Sequence, residues 1–149
     1  MILITAEQIT KSYRLGDIES VALKDISFSV EVGAFAAIVG PSGSGKSTLL
    51  NLIGCLDHPT AGKLVVCNTD VSSLSRTGSA KFRGENIGFI FQDFNLIPVL
   101  TVFENIEYPL LMVRKWPVEK RRERVIQVLA SVGMTDHADK KPDQLSGGQ

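Results

Sequence analysis

Phe35-Ala-Ala-Ile-Val-Gly-Pro-Ser-Gly-Ser-Gly-Lys-Ser-Thr48, followed by Leu49-Leu-Asn-Leu-Ile53, is the stretch on which the fold turns. Gly40 to Ser47 fills the G-x-x-x-x-G-K-[ST] template at every fixed position. The apolar run Phe35 to Val39 reads as a strand buried on both faces, as in parallel sheets. Leu49, Leu52, Ile53 and Leu56 recur at helical spacing, so the template sits on a strand-loop-helix corner. Such a corner turns backbone N–H groups and a helix N-terminus toward an anion. Gly40, Ser42, Gly43, Ser44, Gly45, Lys46, Ser47 and Thr48 are therefore the candidate cradle for a nucleotide's phosphates. Lys46 supplies a full charge to the β/γ-phosphates, and the Ser47 hydroxyl is the expected Mg²⁺ ligand, with Thr48 beside it.

Composition is compatible with this reading without suggesting it. The chain has 149 residues, 44% of them hydrophobic, enough for one core. Its 16 basic and 16 acidic residues cancel, so no net field draws it to nucleic acid or anionic lipid. Cys55 and Cys67 lack metal-ligand spacing and read as buried filler of a reducing compartment. No segment approaches the apolar length that spans a bilayer, and Met1 to Glu7 lacks a signal peptide's basic start. Membrane work is expected to go through a partner.

Upstream of the loop, Ile26, Phe28, Val30 and Val32 alternate with Ser27, Ser29 and Glu31, the pattern of a half-buried antiparallel strand. Ile2 to Thr10 is its expected partner, ending at Lys11-Ser12-Tyr13, with Arg14 to Ser20 as the connecting loop. Downstream, Pro59 to Gly62 predicts a turn and Lys63 to Cys67 a strand, followed by Asn68 in a left-handed turn. Ile87 to Phe91 predicts another buried strand that delivers Gln92 at its C-terminal end, where α/β sheets bind ligands. Thr101-Val-Phe-Glu104 predicts a capping box and a helix from Val102 to Val113. Pro117 fits the first turn of another helix, striped by Val125, Val128, Leu129 and Val132 and stopped by Gly133. Lys120 to Arg124 on that helix is interrupted by Glu119 and Glu123 and reads as a solvated face. His58 and His137 are expected in surface or capping roles.

The order of these motifs, closed by Leu145-Ser-Gly-Gly-Gln149, resembles the ATP-binding cassette (ABC) ATPases. Leu50 to Asp57, Phe94 to Thr101 and Glu104-Asn105 are similar to the lipoprotein-releasing, macrolide-exporter and cell-division subgroup. The resemblance implies an α/β P-loop NTPase core of the RecA-like kind with an N-terminal antiparallel β layer. It divides the chain into an ATP-binding core, residues 1–92, and a helical subdomain, residues 93–149.

It also implies roles. Tyr13 matches the aromatic that stacks on adenine, although taken alone it reads as a surface or strand-end tyrosine. Gln92 matches the glutamine that meets Mg²⁺ or the attacking water, which with Lys46 makes the candidate catalytic pair. Ser146, Gly147, Gly148 and Gln149 match the signature motif, which faces the γ-phosphate held by a second subunit in a head-to-tail homodimer. The implied partners are ATP with Mg²⁺, a second cassette and an integral membrane permease docked near Asp93 to Leu100, at the cytoplasmic face of the membrane, with no nucleic acid. In that family the acidic Mg²⁺ ligand, the Glu beside it, a His and the last core strands follow the signature motif. The 149 residues alone are accordingly expected to bind ATP at best, to be marginally stable and to lack ATPase activity. A soluble ABC ATPase not linked to transport is the alternative; a P-loop kinase is disfavoured by the signature motif.

Overall fold

Strands β1 (Ile2–Leu15) and β2 (Ile18–Glu31) make one long antiparallel hairpin in the computed structural model, which describes residues 1–91 and 94–149. Gly16-Asp17 is its two-residue turn, and Gly16, at φ 62°, takes the first position, as glycine does in a II′ hairpin. The ladder thus runs further than the sequence suggests. Tyr13 lies inside β1 opposite Ser20, and Arg14 to Ser20 is strand and turn rather than loop. The alternation from Ile26 to Val30 reappears as half-buried apolar and exposed polar positions, while Val32, past the strand end, is exposed.

β3 (Ala61–Val66) pairs with the other edge of β1, and β4 (Thr69–Asp70) with β3, giving the order β2-β1-β3-β4. The β3–β4 turn places Cys67 at φ 48° and Asn68 at φ 60°, the doubly left-handed pair of a type I′ turn. Helix α1 (Lys46–Ile53) lays Leu49 and Leu52 on a core built with Ala6, Ile9, Leu23 and Leu64. Cys55 is buried in the same core, where desolvation raises its thiol pKa, as befits filler rather than a nucleophile. Helix α2 (Arg76–Asn86), unanticipated from sequence, starts at Ser75, whose hydroxyl accepts from the Gly78 N–H at 3.1 Å, and adds Phe82 to the core.

Two expected strands are absent. Residues 35–39 and 87–91 lie in no strand, and Phe35 and Ile90 are fully exposed. A strand needs a neighbour to satisfy its N–H and C=O groups. Among the described residues no strand pairs with either segment. The expected delivery of Gln92 falls outside the described residues.

The chain divides into two compact units, Met1–Phe89 and Ile90–Gln149. In the second, α3 (Val102–Met112) opens with the capping box: the Thr101 hydroxyl accepts from the Glu104 N–H and the Glu104 carboxylate from the Thr101 N–H at 2.7 Å. α4 (Val118–Ser131) begins after Pro117 and buries Val125 and Leu129 against Val102, while Val132 is exposed. Gly133, at φ 68°, ends the helical run. The basic run is not wholly solvated. Arg121 pairs with Glu107 at 3.0 Å and donates to the Trp116 carbonyl, and Lys120 stands over the Trp116 ring.

Leu52 is fully buried between α1 and the sheet. Leu52→Ala is expected to lower the unfolding free energy by about 2–5 kcal/mol, read as a shift in the urea midpoint.

Candidate functional site

Gly45 decides how the glycine-rich loop enters α1. It caps the helix at φ 86°, and a Cβ there would lie 2.6 Å from the Ala22 carbonyl oxygen and 2.7 Å from a Leu23 methyl. The loop can be pressed onto β2 only because that atom is missing. Within the turn, Ser44 N–H donates to the Pro41 carbonyl, and the helical ladder starts with Leu49 N–H to the Gly45 carbonyl. Among the described residues no acceptor meets the N–H groups of Gly43, Gly45, Lys46, Ser47 or Thr48. These donors surround an open cavity of about 270 Å³ lined by Ala22 and residues 42–48.

Lys46 folds back over the loop. Its ammonium donates to the Gly40 carbonyl at 2.9 Å and the Pro41 carbonyl at 2.7 Å, with the Ser44 hydroxyl at 3.4 Å. A concentration of unpaired donors around one cation fits a polyanion such as a polyphosphate. The Ser47 residue is exposed at the same rim and can offer its hydroxyl to a cation held mainly by phosphate oxygens and water. Among the described residues no group of His, Cys, Asp and Glu is arranged to hold a metal by itself.

Tyr13 belongs to a network that sequence reading missed. Its hydroxyl donates to Asp57 Oδ2 at 3.1 Å. Lys11 donates to Asp57 Oδ1 at 2.7 Å and to the His58 carbonyl at 2.8 Å, and its ammonium stands 4.9 Å from the Tyr13 ring centroid. Burial pushes the Asp57 carboxyl up, but hydrogen bonds from Lys11, the His58 N–H and Tyr13 outweigh it, so its pKa is lowered. His58 is half-buried, with Nε2 3.5 Å from the hydroxyl of buried Ser79, rather than at the surface. Only the i, i+2 spacing of Lys11 and Tyr13 on one strand face hints at the network; nothing local links them to Asp57.

In the second unit Leu145 packs against the Val102, Val125 and Leu129 core, and Ser146, Gly147 and Gly148 form an exposed turn after it. Gln149 closes that turn: its Oε1 accepts from the Ser146 N–H at 2.9 Å and from the Ser146 hydroxyl at 3.1 Å. With the oxygen so committed, the Gln149 amide nitrogen donates to His137 Nε2 at 2.9 Å. His137 thus caps a side chain rather than a helix. Gln92, the other candidate catalytic residue, is outside the described residues.

A glycine-rich loop that opens a helix beside a sheet is the arrangement of the P-loop class of α/β proteins. The family model described as ABC transporter matches residues 23–149, and the chain belongs to that family. It is 46% identical to an uncharacterized ABC transporter ATP-binding protein, YvrO of Bacillus subtilis, over 99% of this chain and 64% of that protein. It is 44% identical to the macrolide export ATP-binding/permease protein MacB of Burkholderia thailandensis, over 99% of this chain and 22% of MacB. Among solved structures it is similar to the dimeric post-hydrolysis state of the ATP-binding cassette MJ0796, of Methanocaldococcus jannaschii, bound to ADP and Pi. That match has TM-score 0.88 and 43% identity over 99% of this chain and 65% of the other. The chain therefore spans 64% of the length of YvrO and of MJ0796. Its α/β cassette fold is that of these neighbours.

Gly45→Ala is expected to destabilise the first unit by more than Gly43→Ala, since a Cβ on Gly43 meets open space and pays only for its φ of 80°. The latter cost is about 1–2 kcal/mol, and paired denaturation curves compare the two. The lowered Asp57 pKa means a stabilisation fully present above the ordinary carboxylate pKa of about 4 and lost as pH falls through the depressed folded value. The stability gap between wild type and Asp57→Asn should accordingly hold from pH 7 to pH 5 and shrink below about pH 4 in urea titrations.

Proposed function

We propose that this chain is the ATP-binding part of an energising subunit of an ABC transporter-type membrane complex. The observation that carries the reading is the set of unpartnered N–H groups of Gly43, Gly45, Lys46, Ser47 and Thr48 around the Lys46 ammonium. In this reading Lys46 exchanges the Gly40 and Pro41 carbonyls for phosphate oxygens, and the loop donors close on the triphosphate without further rearrangement. Mg²⁺, with Ser47 as a ligand, would screen the charge between the β- and γ-phosphates. Gln92 is assigned to that metal or to the attacking water.

The two units, read as core 1–92 and helical subdomain 93–149, then carry the two sides of a shared site. Ser146, Gly147 and Gly148, exposed on the turn after Leu145, face the γ-phosphate bound by a second copy arranged head to tail. The dimeric state of the cassette MJ0796 supports this reading, and the joint ATP-binding and permease naming of MacB supports a permease as the driven partner. Hydrolysis that opens the clamp, at the cytoplasmic face of the membrane and within the lipoprotein-releasing, macrolide-exporter and cell-division subgroup, is the activity proposed for the whole protein. No helix among the described residues is long and apolar enough to cross a membrane.

In the whole protein, Lys46→Ala should weaken ATP binding by roughly 1.5–3 kcal/mol, as expected for a lost charge-assisted hydrogen bond. Ser146→Arg should leave binding near normal while abolishing ATP-dependent dimerisation and turnover. Calorimetric titration and light scattering distinguish the two, and an equal loss of affinity in both variants would refute the two-sided clamp.

A further inference from the structure

We propose that Lys11 and Asp57 are positioning residues that hold the Tyr13 ring as a fixed platform with a single free face for a nucleobase. The inference rests on the reading of Tyr13 as the aromatic that meets adenine.

The ring is pinned at both of its degrees of freedom. Its hydroxyl is tied to Asp57 Oδ2 at 3.1 Å, and Lys11 approaches its face, 4.9 Å from the centroid. Lys11 cannot easily drift, because Asp57 Oδ1 and the His58 carbonyl hold it at 2.7 and 2.8 Å. Asp57 is fixed in turn by the His58 N–H at 2.7 Å. Tyr13 is nevertheless 42% exposed, and the face opposite the ammonium is the one assigned to the base.

The platform is also registered to the phosphate cavity. Lys11 pairs with Leu23, Ser12 with Val21 and Tyr13 with Ser20, which places the ring a rung or two along the hairpin from Ala22 on the cavity wall. Asp57 follows α1, the helix that the glycine-rich loop opens. One hairpin and one helix therefore set both the base and the phosphate ends of the site. A stacking ring held before the ligand arrives loses no rotamer freedom on binding.

The test is calorimetric titration of the chain with ATP and with inorganic tripolyphosphate, which lacks a base. Tyr13→Phe and Asp57→Asn should each bind ATP roughly three- to tenfold more weakly, as for one lost hydrogen bond, with tripolyphosphate binding unchanged. Tyr13→Ala should lose at least as much for ATP alone. If Tyr13→Ala is weakened but Tyr13→Phe and Asp57→Asn match wild type, the positioning role of Lys11 and Asp57 is wrong and the stacking reading stands. Unchanged ATP binding by Tyr13→Ala would remove the stacking reading and the positioning role with it. Equal weakening toward both ligands by Asp57→Asn, with Tyr13→Phe silent, would make Asp57 a general structural residue and overturn the proposal. Should Asp57→Asn fail to fold, as judged by circular dichroism, Tyr13→Phe decides, since it removes only the hydroxyl.

Discussion

A backbone that must leave its own donors unpaired is the constraint around which the first unit is arranged. The N–H groups of Gly43, Gly45, Lys46, Ser47 and Thr48 have no protein acceptor among the described residues, and a polypeptide ordinarily avoids that state. Three features hold the loop in it. Gly45 supplies a left-handed turn with no Cβ to strike Ala22, the Lys46 ammonium collects the Gly40 and Pro41 carbonyls, and Leu49 and Leu52 anchor the following helix in the core. The donors line a cavity open to solvent, where water can serve them.

The long β1–β2 hairpin gives that loop its surroundings. The ladder continues to Leu15 and Ile18, so Ala22, which lines the cavity of the glycine-rich loop, and Tyr13 stand on the same ribbon. Asp57 then joins the ribbon to the segment after α1 through Lys11 and Tyr13. The Lys11–Asp57 pair is shielded enough to matter for geometry, with Lys11 12% and Asp57 30% exposed, yet wet enough that its energetic contribution is modest. Position, rather than stability, is the main effect of that network. The second unit solves a different problem with the same economy: Leu145 is anchored in the α3–α4 core, so the small residues after it are left outside.

Features governed by neighbours in the chain were legible. Thr101 and Glu104 announce a cap because both partners lie within one turn, and Asn68 announces a left-handed turn because its conformational cost is local. The ABC family itself was legible from the loop template and Leu145 to Gln149. Phe35 to Val39 and Ile87 to Phe91 were misread as strands here, since an apolar run specifies burial but cannot supply the neighbouring strand that burial requires. Arg76 to Asn86 escaped notice because it buries little beyond Ser79 and Phe82 and so shows no apolar stripe. Arg121 reads as solvated from sequence because Glu107, its partner, lies on another helix.

By itself, then, the sequence determined the chemistry on offer: a glycine-rich loop with a lysine and a serine, a second small-residue motif, and the caps and turns that bound the helices. Each of these depends on residues within a few positions of one another, where sterics and hydrogen bonding act without the rest of the fold. Tertiary structure alone decided what surrounds that chemistry. The Ala22 carbonyl over Gly45, the Asp57 carboxylate on Tyr13 and the His137 ring on Gln149 are contacts between residues 12 to 44 positions apart. Contacts over such separations form only when hairpin register and core packing bring the two segments together.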